Sequence, residues 1–216
     1  MWLWRTWLVH HKTTTFNCEA QLLCNIVTND IWFGGWNGTL YHYDGVTIQR
    51  DSLGSITSIL EGHNYIIGGF AGTSSNNLFA FFNDFTTGYF HFLKRSNDAW
   101  GELDSQFASQ TSLWLSPAGK LFSTFFGYGL YVWDGQPPWN QFYDEGNASS
   151  HVYGSSGTNI FVSGQQGGLY HYNGADWYKF KNLWSVNISF GAIWTDGNEV
   201  FVIGDDGFKS YIYHGK

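Results

Sequence analysis

Charge is scarce in this chain. Only 12% of its 216 residues are charged, and Lys and Arg together number 10, whereas an average protein carries about 25% charged residues. The formal net charge is −7, and the basic residues are scattered. Binding to a nucleic-acid backbone needs clustered Lys and Arg side chains. We therefore expect no nucleic-acid partner.

Long apolar runs are also lacking. No segment approaches the roughly 20 apolar residues that a membrane-spanning helix needs, so we expect no membrane insertion. The opening residues Met1–Trp7 have neither the apolar core nor the small-residue cleavage site of a signal peptide. The protein therefore either stays inside the cell, is carried out by another route or is processed before this start. The sequence does not name the compartment, and of the alternatives we favour an extracellular or virion-surface location over a cytoplasmic one.

Cysteine is represented only by Cys18 and Cys24. A chain of this length can build its core without disulfides. We expect both thiols to be reduced, and a disulfide closing this short loop stays open as the alternative.

Helical periodicity is absent, because no stretch places apolar residues at i, i+3, i+4 and i+7 between caps. Aromatic residues make up 20% of the chain, and 27 residues are Gly. Many of these aromatic and Gly residues belong to a sequence repeat that occurs four times. Each copy contains an apolar strand, a Gly-rich turn, a Tyr-containing strand and a turn ending in Gly. The copies span residues 30–45, 120–135, 159–174 and 199–215. Alternation on a period of two predicts β-strands, and Asp-Gly or Asn-Gly pairs predict tight hairpins.

The spacing of the turn glycines gives the number of repeats. Gly174 follows Gly135 by 39 residues, Gly215 follows Gly174 by 41, and Gly135 follows Gly45 by 90. The last interval holds two periods, so a degenerate fifth copy lies between residues 45 and 135. A period of about 43 residues is typical of a four-stranded propeller blade.

We therefore predict an all-β fold, a five-bladed β-propeller of four-stranded antiparallel blades in one domain, 1–216. The expected blades span about 20–50, 56–93, 112–143, 151–180 and 188–216. In the second blade we expect strands at 56–60, 65–69, 78–82 and 89–93. The residues that follow, 94–111, are expected to form a long link, either a functional loop or a solvated insertion. The last blade has only three strands, so residues 2–9 should supply its outer strand and close the ring.

The repeat wording resembles the short propeller repeats of bacterial sensor and surface proteins, which read roughly D-x-W-x-G-x-x-G-x-L-x-x-Y-D-G-x-x-W. The matching segments run from Asp30 to Gly45 and from Leu130 to Trp139, and the resemblance covers four of the five predicted blades. In blade number and aromatic richness the chain is also similar to the five-bladed tachylectin-like lectins. The resemblance implies a propeller fold and says little about activity.

No catalytic or cofactor signature occurs. There is no Gly-x-Ser-x-Gly elbow, no Walker loop and no His-Glu-x-x-His motif, so we expect no enzyme activity and no cofactor. His42 and His171 align with Val132 and Ile212, which indicates packing positions and not metal ligands. Calcium at Asp205 and Asp206 is disfavoured, because the equivalent turns carry other residues.

The turns between the second and third strands are the better candidates, because loops on a rigid scaffold concentrate binding residues. Aromatic faces beside amides and carboxylates suit sugars, although ordinary hairpin chemistry explains the same residues. In the second blade this turn is expected at 71–76. The candidate ligand-binding residues are Trp36, Asn37, Tyr128, Gln165, Gln166, Asp205 and Asp206.

These residues predict a non-enzymatic binding module for a carbohydrate or glycoconjugate. Two alternatives stay open. One is a structural or protein-interaction component of a larger assembly, such as a virion or surface complex, so that the partner is a protein and not a glycan. The other is a glycoside-processing enzyme whose carboxylates converge from different blades.

Overall fold

The computed structural model describes residues 4–9, 20–27, 29–58, 60–145, 148–184 and 187–216. Cys18, and with it the expected state of the two thiols, lies outside these residues. Strands dominate the described chain, and its helical elements are two short 3-10 helices, at Gly54–Ser58 and Lys181–Leu183.

The strands form five four-stranded sheets, called blades 1 to 5 in chain order. Blade 1 contains β2 (Ala20–Val27), β3 (Asp30–Gly35), β4 (Leu40–Tyr43) and β5 (Ile48–Arg50). Blade 2 contains β6 (Tyr65–Ser74), β7 (Asn77–Asp84), β8 (Tyr89–Ser96) and β9 (Ala99–Phe107). Blade 3 contains β10 (Gln110–Leu115), β11 (Leu121–Phe125), β12 (Gly129–Trp133) and β13 (Asn140–Tyr143). Blade 4 contains β14 (His151–Ser156), β15 (Asn159–Ser163), β16 (Leu169–Tyr172) and β17 (Trp177–Lys179).

Blade 5 combines the two ends of the chain. It contains β18 (Ser189–Thr195), β19 (Val200–Asp205), β20 (Ser210–Gly215) and, beyond β20, β1 (Trp4–Val9). β1 runs antiparallel to β20, with Trp4 opposite Gly215 and Val9 opposite Ser210. The predicted all-β fold of five antiparallel blades, with the N-terminal strand outermost in the last one, is confirmed.

The chain divides into two compact units. One holds blades 1 and 2, the start of β10 and residues 135–138, and the other holds β1, the rest of blade 3 and blades 4 and 5. The prediction of one domain stays a prediction.

The predicted strand assignment of blade 2 is wrong by one strand. Residues 54–58 form a 3-10 helix, and the innermost strand is β6, beginning at Tyr65. The reason is the spacing of the buried side chains: Leu53, Ile56 and Leu60 recur every three or four residues, which suits a helical turn and not a strand. As a result, the turn near residues 71–76 joins the first and second strands, and Phe85–Gly88 takes the place between the second and third.

The expected long link at 94–111 is also wrong. It contains the end of β8 and all of β9, joined by a hairpin at Asn97 and Asp98. These two residues have φ of 50° and 59°, the left-handed pair that a tight two-residue hairpin requires. The turn carries no glycine, so the Asp-Gly and Asn-Gly signals used for the other hairpins missed it.

Each unit has apolar cores shared by neighbouring blades. In the unit of blades 1 and 2, Trp32 of β3 packs edge-on against Trp100 of β9, with ring centroids 5.9 Å apart. In the other unit one cluster joins blades 3 and 4 around Phe122 and Tyr170, and a second joins blades 4 and 5 around Phe161 and Phe190. Burial of these large rings is the main favourable contribution to the packing of blade on blade.

A stacked aromatic–histidine pair recurs across the two central strands of four blades. The pairs are Trp32–His42, Phe82–His91, Phe161–His171 and Phe201–His214, with ring centroids 4.3 to 4.6 Å apart. In blade 3 the corresponding partners in the strand register are Phe122 and Val132. The alignment of His42 with Ile212 is therefore wrong, since the register places His214 opposite Phe201 and Ile212 opposite Ile203.

The histidines differ in the group that holds them. His42 Nε2 lies 2.9 Å from Asp30 Oδ1, His91 Nδ1 contacts the Glu102 carboxylate, and His171 Nε2 lies 2.7 Å from Asn159 Oδ1. Since an amide oxygen only accepts, His171 donates from Nε2. Burial lowers the pKa of His171 to about 4, because desolvation penalises the charged imidazolium.

Removing β1 tests the terminal pairing. A chain lacking residues 1–9 should unfold at lower urea concentration and self-associate, since β20 becomes an unpaired edge. Each lost backbone hydrogen bond costs about 1 kcal/mol net, so the loss should reach several kcal/mol. A chain lacking only residues 1–3, which precede β1, is the control. Unchanged urea unfolding and gel-filtration profiles of the longer deletion would contradict the pairing.

The histidine environment of blade 4 can be tested by one atom exchange. Asn159→Asp should raise the pKa of His171 well above about 4, because a carboxylate beside the ring favours its protonated form. An NMR titration of the imidazole protons measures the shift. Asn182→Asp adds the same charge at an exposed position and should leave His171 unchanged. An unaltered titration in Asn159→Asp would exclude the described hydrogen bond.

Candidate functional site

A pocket of about 350 Å³ opens beside the central hairpin turn of blade 1, the turn between its second and third strands. We call it the turn pocket. It combines amide, guanidinium, carboxylate and hydroxyl groups with apolar surface. Its lining residues are Asn37, Gly38, Arg50, Asp51, Ser52, Leu53, Thr57 and Tyr65.

The first blade's central turn is pinned to the start of β6, which gives the pocket a fixed wall. The backbone N–H of Asn37 donates to the carbonyl of Tyr65 at 2.9 Å, and Trp36 forms an isolated β-bridge with Ile66. Gly38 has φ of 75°, and a Cβ there would lie 2.5 Å from the Tyr65 hydroxyl. Only glycine fits this position, because any side chain meets both backbone strain and a steric clash.

An exposed aromatic pair lies next to the pocket along the chain. Trp36 and Phe85 have ring centroids 5.5 Å apart, and 37% and 53% of their surfaces are exposed. Phe85 belongs to the central turn of blade 2, so the central turns of both blades contribute one ring each. Exposed apolar rings beside hydrogen-bonding groups are typical of sites for amphipathic ligands.

The polar groups of the pocket include a cation without a partner. Among the described residues Arg50 makes no ion pair or hydrogen bond, and it is exposed. Only 5% of the Tyr65 surface is exposed, yet the residue lines the pocket. No described residue hydrogen-bonds its hydroxyl. Burial raises the pKa of Tyr65, while the nearby charge of Arg50 opposes the rise. The hydroxyl is therefore protonated at neutral pH and can donate.

Asp51 is already neutralised from the other side. Its Oδ1 accepts the N–H of Ser52 at 2.6 Å, and its Oδ2 lies 3.6 Å from Nε of Arg95. Arg95 is buried, lies over the Trp32 ring at 5.0 Å, and donates to the carbonyl of Ser75 at 2.8 Å. The wall of the pocket is thus connected to the joint between blades 1 and 2.

Asp30 is the centre of that joint. It accepts the backbone N–H of Ser75 at 2.9 Å, the Ser75 hydroxyl at 2.6 Å and Nε1 of Trp32 at 2.9 Å, besides contacting His42. Burial alone would raise the pKa of Asp30, but these hydrogen bonds outweigh it and the pKa is lowered. Asp30 is therefore a carboxylate at every pH near neutral.

The Ser75–His42–Asp30 grouping is not arranged as a catalytic triad. In a triad the histidine contacts serine and aspartate through different ring nitrogens. Here the same nitrogen, Nε2 of His42, lies 2.9 Å from Asp30 and 3.2 Å from Ser75 Oγ. His42 therefore cannot relay a proton from serine to aspartate, and the cluster joins blade 1 to the β6–β7 turn.

The other predicted residues occupy the central turns of their own blades. Tyr128 is 56% exposed in blade 3, and its carbonyl accepts Nε2 of Gln141 at 3.0 Å. Gln165 and Gln166 are exposed in blade 4, where Gln166 has φ of 56°. They remain candidate binding residues, each on an exposed turn.

Asp205 and Asp206 hold their own turn together. Asp206 accepts the N–H groups of Phe208 and Lys209 at 2.9 and 2.8 Å and the Tyr211 hydroxyl at 2.6 Å. Asp205 accepts the N–H of Gly207 at 2.7 Å. These contacts use much of the capacity of both carboxylates and give the pair a structural role. In the described part of the chain no group of three or more metal-ligating side chains comes together.

Of the eight residues that line the pocket, Asn37 alone was a predicted candidate. Six of the others lie outside the repeated segments, between the end of β5 and the start of β6: Arg50, Asp51, Ser52, Leu53, Thr57 and Tyr65. The signal that could have pointed to them is the isolated Arg50 in a chain with 10 Lys and Arg residues. Their convergence depends on the 3-10 helix at Gly54–Ser58, which the strand-based alignment did not allow.

Comparison with known proteins gives structural neighbours without sequence relatives. No protein-family model and no curated protein matches the sequence. YCF48 bound to a D1 peptide is similar with a TM-score of 0.63 and 13% identity, over 90% of this chain. The β-propeller domain of Cps50 (Swd1) from Myceliophteria thermophila has a TM-score of 0.59 and 15% identity, over 85% of this chain. A calcium-binding regucalcin from Agrobacterium tumefaciens has a TM-score of 0.60 and 14% identity, over 88% of this chain.

These likenesses show the fold, a β-propeller of five blades, and leave the repeat type unassigned. The alignments cover 64%, 66% and 74% of the three neighbours, so this chain matches about two thirds of the YCF48 and Cps50 chains. In the described residues no helix is long and apolar enough to cross a membrane.

Replacing Asp30 tests the joint. Asp30→Ala should lower the free energy of unfolding by roughly 2–3 kcal/mol at pH 7, because Trp32 and Ser75 lose the acceptor of their donors. Since the folded-state pKa is below the ordinary 3.8, the contribution is present above that value and disappears as the pH falls through the folded pKa. The difference between wild type and variant, measured by urea unfolding, should therefore shrink in acid. Asp176→Ala, an exposed control, should cost little at any pH, and an equal loss in both variants would refute the network.

Proposed function

We propose that this chain is a non-enzymatic binding module that holds a carbohydrate at the turn pocket and the adjoining Trp36–Phe85 surface. The propeller fold fits an interaction module in general. The observation that supports a sugar is the combination of an exposed aromatic pair with a pocket lined by planar polar groups. Sugar rings present apolar C–H faces and hydroxyl edges, which such a site matches.

The division of tasks in the site follows from the side chains. The Trp36 and Phe85 rings cover an apolar sugar face. The Asn37 amide and the Tyr65 hydroxyl exchange hydrogen bonds with hydroxyl groups, and Arg50 donates from its fork. Because the turn is fixed by the bridge to Ile66, little of the backbone has to be ordered on binding, which favours affinity.

The absence of catalysis is part of the proposal, and the placement of the carboxylates supports it. The carboxylate of Asp51 is occupied by Ser52 and Arg95, and Asp30 is held within the joint between the blades. Glycoside hydrolysis needs two free carboxyl groups facing one bond, about 5 to 10 Å apart. The lining of the turn pocket contains Asp51 as its carboxylate, so binding without cleavage is the function that this pocket fits.

A protein segment is the second candidate ligand. It is favoured by large exposed apolar side chains in other central turns, Phe126 at 54% and Phe208 at 94% exposed, since such residues are enriched at protein interfaces. A neighbour in fold, YCF48, is described with a bound peptide. On this alternative the chain is an interaction component of a larger assembly.

A glycan array with matched variants tests the proposal. Wild type should bind a defined group of glycans, and Trp36→Ala should reduce that binding by about fivefold or more, because a stacked ring contributes about 1 kcal/mol or more. Tyr178→Ala removes an exposed ring on β17, away from the central turns, and should bind as wild type does. A blank array would reject the carbohydrate ligand and leave the protein segment, and equal binding by all three proteins would move the site elsewhere.

A further inference from the structure

The turn pocket has a positively charged side chain in its lining, Arg50. Arg50 is exposed and makes no ion pair with a described carboxylate, although Asp51 is its neighbour in sequence and the chain as a whole has a formal net charge of −7.

The reason is that Asp51 faces Arg95. Its Oδ2 lies 3.6 Å from Nε of Arg95, and its Oδ1 accepts the Ser52 N–H. Arg95 is fixed in turn by the Ser75 carbonyl and by Asp98. The carboxylate that follows Arg50 in the chain, Asp51, is therefore balanced by Arg95. The guanidinium of Arg50 is available to pair with a negatively charged ligand.

A second, independent group points into the same pocket. Tyr65 is almost completely buried, with 5% of its surface exposed, and it lines the pocket. No described residue hydrogen-bonds its hydroxyl. The hydroxyl is 2.5 Å from the place of a Cβ on Gly38, so the absent side chain keeps it accessible. A phenol that donates and a guanidinium fork together form a receptor for a carboxylate.

We infer that the ligand of the turn pocket is an acidic carbohydrate, whose carboxylate pairs with Arg50 and accepts a hydrogen bond from Tyr65. The inference rests on the proposed carbohydrate function and adds the charge of the ligand. Neutral sugars make the ring and hydroxyl contacts without the charge-assisted pair to Arg50, and bind more weakly. Uronic acids and sialic acids both present such a carboxylate on a sugar ring.

Paired probes separate the charge from the sugar. Titration calorimetry with an oligogalacturonide and its carboxyl-reduced form, and with sialyllactose and lactose, compares each acid with its neutral partner. At least one acid should bind about tenfold or more tightly than its neutral partner, since charge-assisted hydrogen bonds contribute about 1.5–3 kcal/mol. The preferred pair identifies the source of the carboxylate. Binding of the acid should weaken as salt increases.

Variants assign the preference to the pocket. Arg50→Gln should remove most of the preference for the acid and change the affinity of the neutral partner much less, and Tyr65→Phe should weaken binding of the acid while preserving the fold. Lys209→Gln removes one exposed positive charge from the β19–β20 turn and should retain the preference.

Each other outcome overturns a definite statement. Equal affinity for acid and neutral sugars rejects the acidic ligand and leaves the carbohydrate function standing. No binding to any sugar rejects both. Binding of an acidic peptide, lost in Arg50→Gln, with no sugar bound, replaces the carbohydrate by a protein segment.

Discussion

The carboxylate of Asp30 is the constraint on which the joint between blades 1 and 2 depends. It takes hydrogen bonds from Trp32 and His42 within blade 1 and from Ser75 in the first turn of blade 2. Arg95 lies over the Trp32 ring and binds the same turn. Apolar packing provides most of the attraction between blades, but it is not directional. The buried polar network fixes how the two sheets meet, because each unmatched donor or acceptor is costly.

The turn pocket follows from that joint. Arg95 pairs with Asp51, and the bridge between Trp36 and Ile66 holds the central turn of blade 1 against β6. Asp51 and Arg95 are thus engaged with each other, whereas Arg50 and Tyr65 line the pocket and are available to a ligand. A site built on two such blades needs no mobile loop to assemble it.

The fold could be predicted from the sequence wherever the repeat was intact. The four clear copies and the spacing between them predicted five sheets. The missing strand of the last copy indicated the pairing of β1 with β20. The strand prediction for blade 2 was wrong for two reasons. The hairpin between its last two strands uses Asn97 and Asp98 without glycine. The buried residues before its first strand, Leu53, Ile56 and Leu60, follow a helical spacing. Of the site, Trp36 and Asn37 were predicted as turn residues. Arg50 and Tyr65 were not, because their meeting depends on the connection between blades, which has no repeat to align.

The stacked histidines carry a consequence for the response to acid. One position in the sheet is served by an amide in blade 4 and by a carboxylate in blade 1. The His171 pKa of about 4, against 6.5 in an unfolded chain, penalises blade 4 as the pH falls from 6.5. The Asp30 contribution is lost only below 3.8. The stacked aromatic–histidine pair is repeated in blades 1 and 4, but the group that contacts the histidine differs. The two blades therefore lose stability at different pH values, so acidification weakens them in succession and not all at once.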